Sequence, residues 1–128
     1  MRVFVDTSVW IDFLRGVTPS VGDALAALLD EDRVSIAAPV RIELLSGVRK
    51  QSWAKLERLL GAIPTHRPTD ATWALLDTWA RISTERGHRF GFGDLLIAAT
   101  ATEHGGVVWS LDRDFQRMRS LGFISLHA

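Results

Sequence analysis

Cysteine is absent from the 128 residues, which excludes disulfides and thiolate metal sites. That suits a reducing compartment, and a cytoplasmic setting is expected. Lysine is almost absent: only Lys50 and Lys55 stand beside thirteen arginines. No lysine follows Lys55, and a receiver-type phosphotransfer domain would need one late in the chain. No apolar run approaches the roughly 20 residues of a membrane span. Asp6 and Asp12 interrupt the first apolar segment, so a secretory signal is not expected. Neither sign of charge dominates, because the formal net charge is 0 at pH 7. That argues against a protein that coats nucleic acid through bulk charge, while leaving local patches open.

What is present fits one domain, residues 1–128, around a single core. The arginine excess suits bidentate contacts with phosphate and carboxylate, although a coding bias would give the same count. Val3–Val5 reads as a buried strand, followed by a helix over Ser8–Arg15 that Gly16 closes. Ser20 and Asp23 resemble a capping box that opens a helix running to about Asp32. Val34–Ala38 reads as a second strand, and Pro39 suits the first turn of the helix "PVRIELLSGVRK". "WAKLERLLGAI" is a further helix. "IPTHRP" is a break with a short edge strand, and Thr69 caps a long helix from Asp70 to about Arg86. The Gly-rich loop "GHRFGFG" leads to the apolar helix "DLLIAATATEH". "VVWSL", "RDFQRMRSLG" and "FISL" read as strand, helix and strand. Trp10, Trp53, Trp73 and Trp79 lie on helical stripes, and most are expected in the core. Strands alternating with helices indicate an α/β fold, a central parallel sheet of four to five short strands flanked by helices.

Most of the fifteen acidic residues fall on polar helix faces or solvated helix ends. Asp6, Glu43, Asp94 and Asp112 do not, and neither does Asp114. Asp6 and Asp112 follow strands directly. Asp94 opens an apolar helix, and Glu43 lies among Ile42, Leu44 and Leu45 in mid-helix. In parallel α/β folds the ligand crevice lies at the carboxyl ends of the strands, so these acids can converge there. Helix capping explains Asp6, Asp94 or Asp112 taken singly, but not Glu43. Converging carboxylates repel one another unless protons or cations intervene. With no cysteine, and no histidine of His66, His88, His104 and His127 at ligand spacing, Mg²⁺ or Mn²⁺ is expected rather than zinc. Such a site suits in-line displacement at phosphorus.

"VDTSVWIDFLRG", "PVRIELLSGVR", "FGDLLIAATATEHG" and "VVWSLDRDF", in that order, resemble the motifs of the PIN domain. More narrowly, they resemble the VapC-type toxin nucleases of bacterial toxin–antitoxin pairs. The resemblance runs from Val3 to at least Phe115. It implies a PIN-like three-layer fold and a Mg²⁺- or Mn²⁺-dependent endoribonuclease that hydrolyses structured RNA such as tRNA or rRNA. Asp6, Glu43, Asp94 and Asp112 fall on the family's acidic positions, and Asp114 on a further acid. Thr7, Ser8 and Ser110 fall where hydroxyls orient ligands and waters. Arg15, Arg41, Arg89 and Arg113 are candidates for holding the RNA backbone. The implied partners are a VapB-type antitoxin and a second copy of the chain. A groove between the Ser20–Glu31 helix and the Val40–Leu60 helices is the expected antitoxin seat. The alternatives are a catalytically silent PIN-fold RNA-binding or scaffold protein, and a haloacid-dehalogenase-type phosphatase. The phosphatase would need an aspartate at position 8, which is serine.

Overall fold

The computed structural model describes residues 1–127. Four short strands make one parallel sheet in the order β3–β2–β1–β4. They are β1 (Val3–Val5), β2 (Val34–Ala37), β3 (Thr65–His66) and β4 (Val107–Trp109). β1 and β2 are buried throughout, as strands covered by helices on both faces must be. β1 pairs with β2 on one side and β4 on the other. The chain therefore builds outward from β1 in one direction and returns on its other edge. That reversal places the crevice at the carboxyl ends of β1 and β4.

The helices are α1 (Thr7–Arg15), α2 (Pro19–Asp30), α3 (Ala38–Gly47), α4 (Trp53–Gly61), α5 (Asp70–Glu85), α6 (Phe92–Glu103) and α7 (Arg113–Ser120). Gly16 closes α1 at φ 63°, a conformation that costs glycine no Cβ clash. Pro39 sits in the first turn of α3. Thr69 and Thr72 form a capping box at the start of α5. α6 is buried continuously from Leu95 to Ala101, so it is a core helix with little polar face. Its end is tied to the start of α5, where the Thr69 and Thr72 hydroxyls donate to the Glu103 carboxylate.

Three expectations need correction. α2 opens two residues earlier than a Ser20 cap requires: Thr18 is the cap and Pro19 occupies the first turn. The Thr18 side chain makes no capping bond to α2, because its hydroxyl and its N–H both donate to Asp12, at 2.8 and 3.1 Å. "FISL" is not a strand. Only Leu126 bridges Val108, since residues 121–123 are taken up in closing α7, with Gly122 at φ 82° and the Phe123 N–H bonded to the Met118 carbonyl. Trp10 and Trp79 are core residues, but Trp53 and Trp73 are 44% and 47% exposed. The buried stripe of α5 runs through Thr72, Leu76, Trp79 and Ser83, and Trp73 lies about 100° round the helix from Thr72.

Candidate metal and nuclease site

The end of β1 delivers Asp6 into the crevice as the cap of α1. The residue is buried, and its carboxylate is held on one side only. Oδ2 accepts from the Ser8 N–H at 3.3 Å, the Ser8 hydroxyl at 2.7 Å and the Ser110 hydroxyl at 2.7 Å. Oδ1 has no partner among the described residues. The same two serines join the ends of β1 and β4. The Leu111 N–H donates to Ser8 Oγ at 3.0 Å and the Asp112 N–H to Ser110 Oγ at 2.9 Å. Ser8 and Ser110 thus fix both the first acid and the loop that carries the fourth.

Asp112 caps α7 by accepting from the Asp114 N–H at 2.9 Å. Asp94 is not a cap. Gly91 holds that position and Asp94 stands in the first turn of α6, its carboxylate without a donor among the described residues. Asp94, Asp112 and Asp114 each present a carboxylate oxygen within 4.8 Å of the others. Partial burial pushes the Asp94 pKa up to about 6, and the charges of Asp6, Asp112, Glu43 and Asp114 add to the effect. Asp6 and Glu43 lie outside the tight cluster of three but within electrostatic reach of it. Glu43 on α3 accepts from the Thr7 hydroxyl at 3.1 Å. Its pKa is raised, first by desolvation and then by Asp6, against the lowering effect of Thr7.

This is a wall of acids at a strand-end crevice, assembled from four separate segments. Among the described residues one cation touches it. Arg117 Nη2 donates to Asp114 at 2.9 Å, and Arg117 also bonds the Arg89 carbonyl and His88 Nδ1. Sequence reasoning missed Arg117. The available signal was its spacing three residues after Asp114 on a helix. Oxygen ligands only, partly buried and mutually repelling, form the donor set that suits a hard divalent cation.

Arg15, Arg89 and Arg113 make no ion pair among the described residues, and Arg89 and Arg113 are exposed. Arg41 is engaged with Glu57 at 3.1 Å. Arg15 and Glu43 line a groove whose walls are α1 and the α3–α4 region, with Phe13, Leu14, Leu56 and Leu59 among its apolar lining. The wall opposite α3–α4 is α1, not the expected α2, because α1 lies between α2 and α3 and contacts both.

The PIN domain family model matches residues 3–121. Ribonuclease VapC11 of Mycobacterium tuberculosis is 30% identical over 122 residues, covering 88% of each chain. The structure of VapBC2 from Rickettsia felis, bound to a promoter DNA fragment, superposes with a TM-score of 0.84 at 20% identity over 99% of this chain and 98% of that one. VapBC-1 from Haemophilus influenzae gives 0.82 at 22% identity, covering 99% and 97%.

Proposed function

The chain belongs to the PIN domain family and, within it, to the VapC ribonucleases, and from that premise we propose that it is the toxin nuclease of a toxin–antitoxin pair. Its reaction is hydrolysis of RNA phosphodiester bonds with Mg²⁺ or Mn²⁺ as cofactor, and structured RNA, tRNA or rRNA, is the substrate class. The observation that carries this reading is the convergence of the Asp94, Asp112 and Asp114 carboxylates within 4.8 Å, with Asp6 and Glu43 beside them. A silent PIN-fold binding protein would have no need to keep so costly a set of repelling acids.

Asp94, Asp112 and Asp114 would hold the cation, with Asp6 and Glu43 completing the acidic wall. Bound there, a divalent cation supplies a counter-charge for phosphate and acidifies a water. The serines then have a defined task. By occupying Asp6 Oδ2 they fix the carboxylate and leave Oδ1 without a protein partner. Glu43, whose pKa is raised first by desolvation and then by Asp6, is a stronger base than an ordinary glutamate and is the proposed acceptor of a proton from water. Attack of water on phosphorus breaks the P–O3′ bond and leaves a 5′-phosphate and a 3′-hydroxyl, with no role for the RNA 2′-OH. Arg15, Arg89 and Arg113, which make no ion pair among the described residues, are the proposed contacts for the phosphate backbone.

A VapB-type antitoxin is the proposed occupant of the α1/α3–α4 groove, and a homodimer the proposed assembly of the free toxin. Among the described residues no helix is long and apolar enough to cross a membrane, and a cytoplasmic setting goes with this function.

The test is cleavage of total cellular RNA by the partner-free chain, with Mn²⁺, with EDTA, and with Asp94→Asn, followed by sequencing of the new 5′ ends. Discrete cuts that need both the metal and Asp94 are expected. Cuts that persist in Asp94→Asn or in EDTA would overturn the assignment.

A further inference from the structure

Two aromatic side chains near the acids do no packing work that the core requires. Phe92 opens α6, two residues before Asp94, and is 63% exposed. Trp73 of α5 is 47% exposed. Their rings lie 6.0 Å apart at an interplanar angle of 16°, an offset stack that holds Phe92 from one side. Gly91 and Gly93 flank Phe92, and a Cβ on Gly93 would meet nothing within 4 Å. The exposure of Phe92 itself leaves its ring open to solvent away from Trp73. Arg89, exposed and without an ion pair among the described residues, lies three residues before it in the loop that leads into α6.

Exposing two large aromatics in solvent costs hydrophobic stabilisation that burial would supply, so a partner with a flat apolar face is implied. The partner that fits this place is one that a cation held by the acid cluster would recruit. A phosphate bound by a cation at Asp94 would bring its adjoining nucleotide to the start of α6, where Phe92 stands two residues away. Unstacked bases stack on aromatic faces without regard to sequence. The arginine beside the rings suits the backbone of the same strand.

We propose that Phe92, braced by Trp73, is a stacking platform for an unpaired base adjoining the cleaved bond. Phe92 is then a substrate-positioning residue. The inference rests on the nuclease reading, so the experiment separates the two.

The probe is a fluorescein-labelled single-stranded RNA of about a dozen nucleotides, within the site size such grooves accept, cut out of a transcript that the wild-type chain cleaves. Wild type, Phe92→Ala, Phe92→Leu, Phe92→Trp and Trp73→Ala are compared for KM and kcat in Mn²⁺. Thermal midpoints and calorimetric Mn²⁺ affinities are measured alongside. Phe92→Ala should raise KM about tenfold, as loss of one base stack does, with kcat, melting and Mn²⁺ affinity close to wild type. Phe92→Trp should restore KM, and Phe92→Leu should not. Moving one abasic nucleotide along the probe should find one position where wild type and Phe92→Ala become equal.

The platform is overturned if Phe92→Ala keeps the wild-type KM, if leucine serves as well as phenylalanine, or if Mn²⁺ affinity falls with the substitution. It is also overturned if Phe92→Ala leaves KM unchanged but dissociates a dimer in light scattering, which would assign the pair to a protein interface. A wild-type chain that cuts no RNA would remove the nuclease reading itself.

Discussion

At the scale of single residues, Asp94 connects the site to the stability of the fold. An aspartate in an unfolded chain titrates near 4, whereas folded Asp94 is pushed up to about 6 by burial and its acidic neighbours. Between those values the folded chain binds the proton more tightly than the unfolded one. The stabilisation is therefore complete below about pH 4 and is lost as pH rises through about 6. In EDTA, the thermal midpoint contributed by this group should fall across that window, and Asp94→Asn should flatten the fall. Melting curves from pH 4 to 7 on both proteins check it. An equal slope in the two would mean that Asp94 is not the titrating group. Asp94 was legible in the sequence as an acid at the start of an apolar helix, and so was its rival reading as a cap. The rival fails because Gly91 takes the cap position. Three residues, most of a helical turn, in where α6 begins decide this, and local sequence does not fix that.

At the scale of elements, the close approach of the α6–β4 turn to β1 is the most constrained junction. A Cβ on Gly106 would lie 2.6 Å from two Phe4 ring atoms and 3.1 Å from the Arg2 carbonyl. Phe4 is almost wholly buried, so its ring has no room to move aside. Gly106→Ala should destabilise the chain by about 1–3 kcal/mol, as overpacking of a close-packed core does. Urea unfolding gives the number, and an unchanged midpoint would show that the strand can shift. The local sequence marks Gly105-Gly106 only as an end to α6. It could not show that the second glycine is needed for a neighbour 102 positions earlier. The misplaced start of α2 has a similar origin. Thr18 and Asp12 bond each other across the α1–α2 turn, a contact that a capping rule read within one helix does not see.

For the whole molecule, the acids are a destabilising feature that a bound cation converts into a linkage. A ligand that binds only the folded chain stabilises it by roughly 2.7 kcal/mol at a hundredfold excess over Kd. Millimolar Mn²⁺ should raise the melting temperature of the wild type and leave Asp94→Asn nearly unmoved. The gain should shrink as pH is lowered through about 6, where protons compete for the same carboxylate. A rise of equal size in both proteins would place the metal elsewhere.

The sequence by itself determined the alternation of strands and helices, because period and turn chemistry are local. It also determined which acids stand at element ends, and the order of motifs that marks the family. The tertiary structure decided which of those acids meet. Strand order β3–β2–β1–β4 brings the end of β1 beside the end of β4, so Asp6 and Ser110 touch across 104 positions. It also decided which aromatics are core and which are surface. Trp79 and Trp73 lie on the same helix, and only the position of α6 and the C-terminal segment buries one and leaves the other beside Phe92. Those outcomes depend on how elements pack, and packing is a property of pairs of segments that no single window of sequence contains.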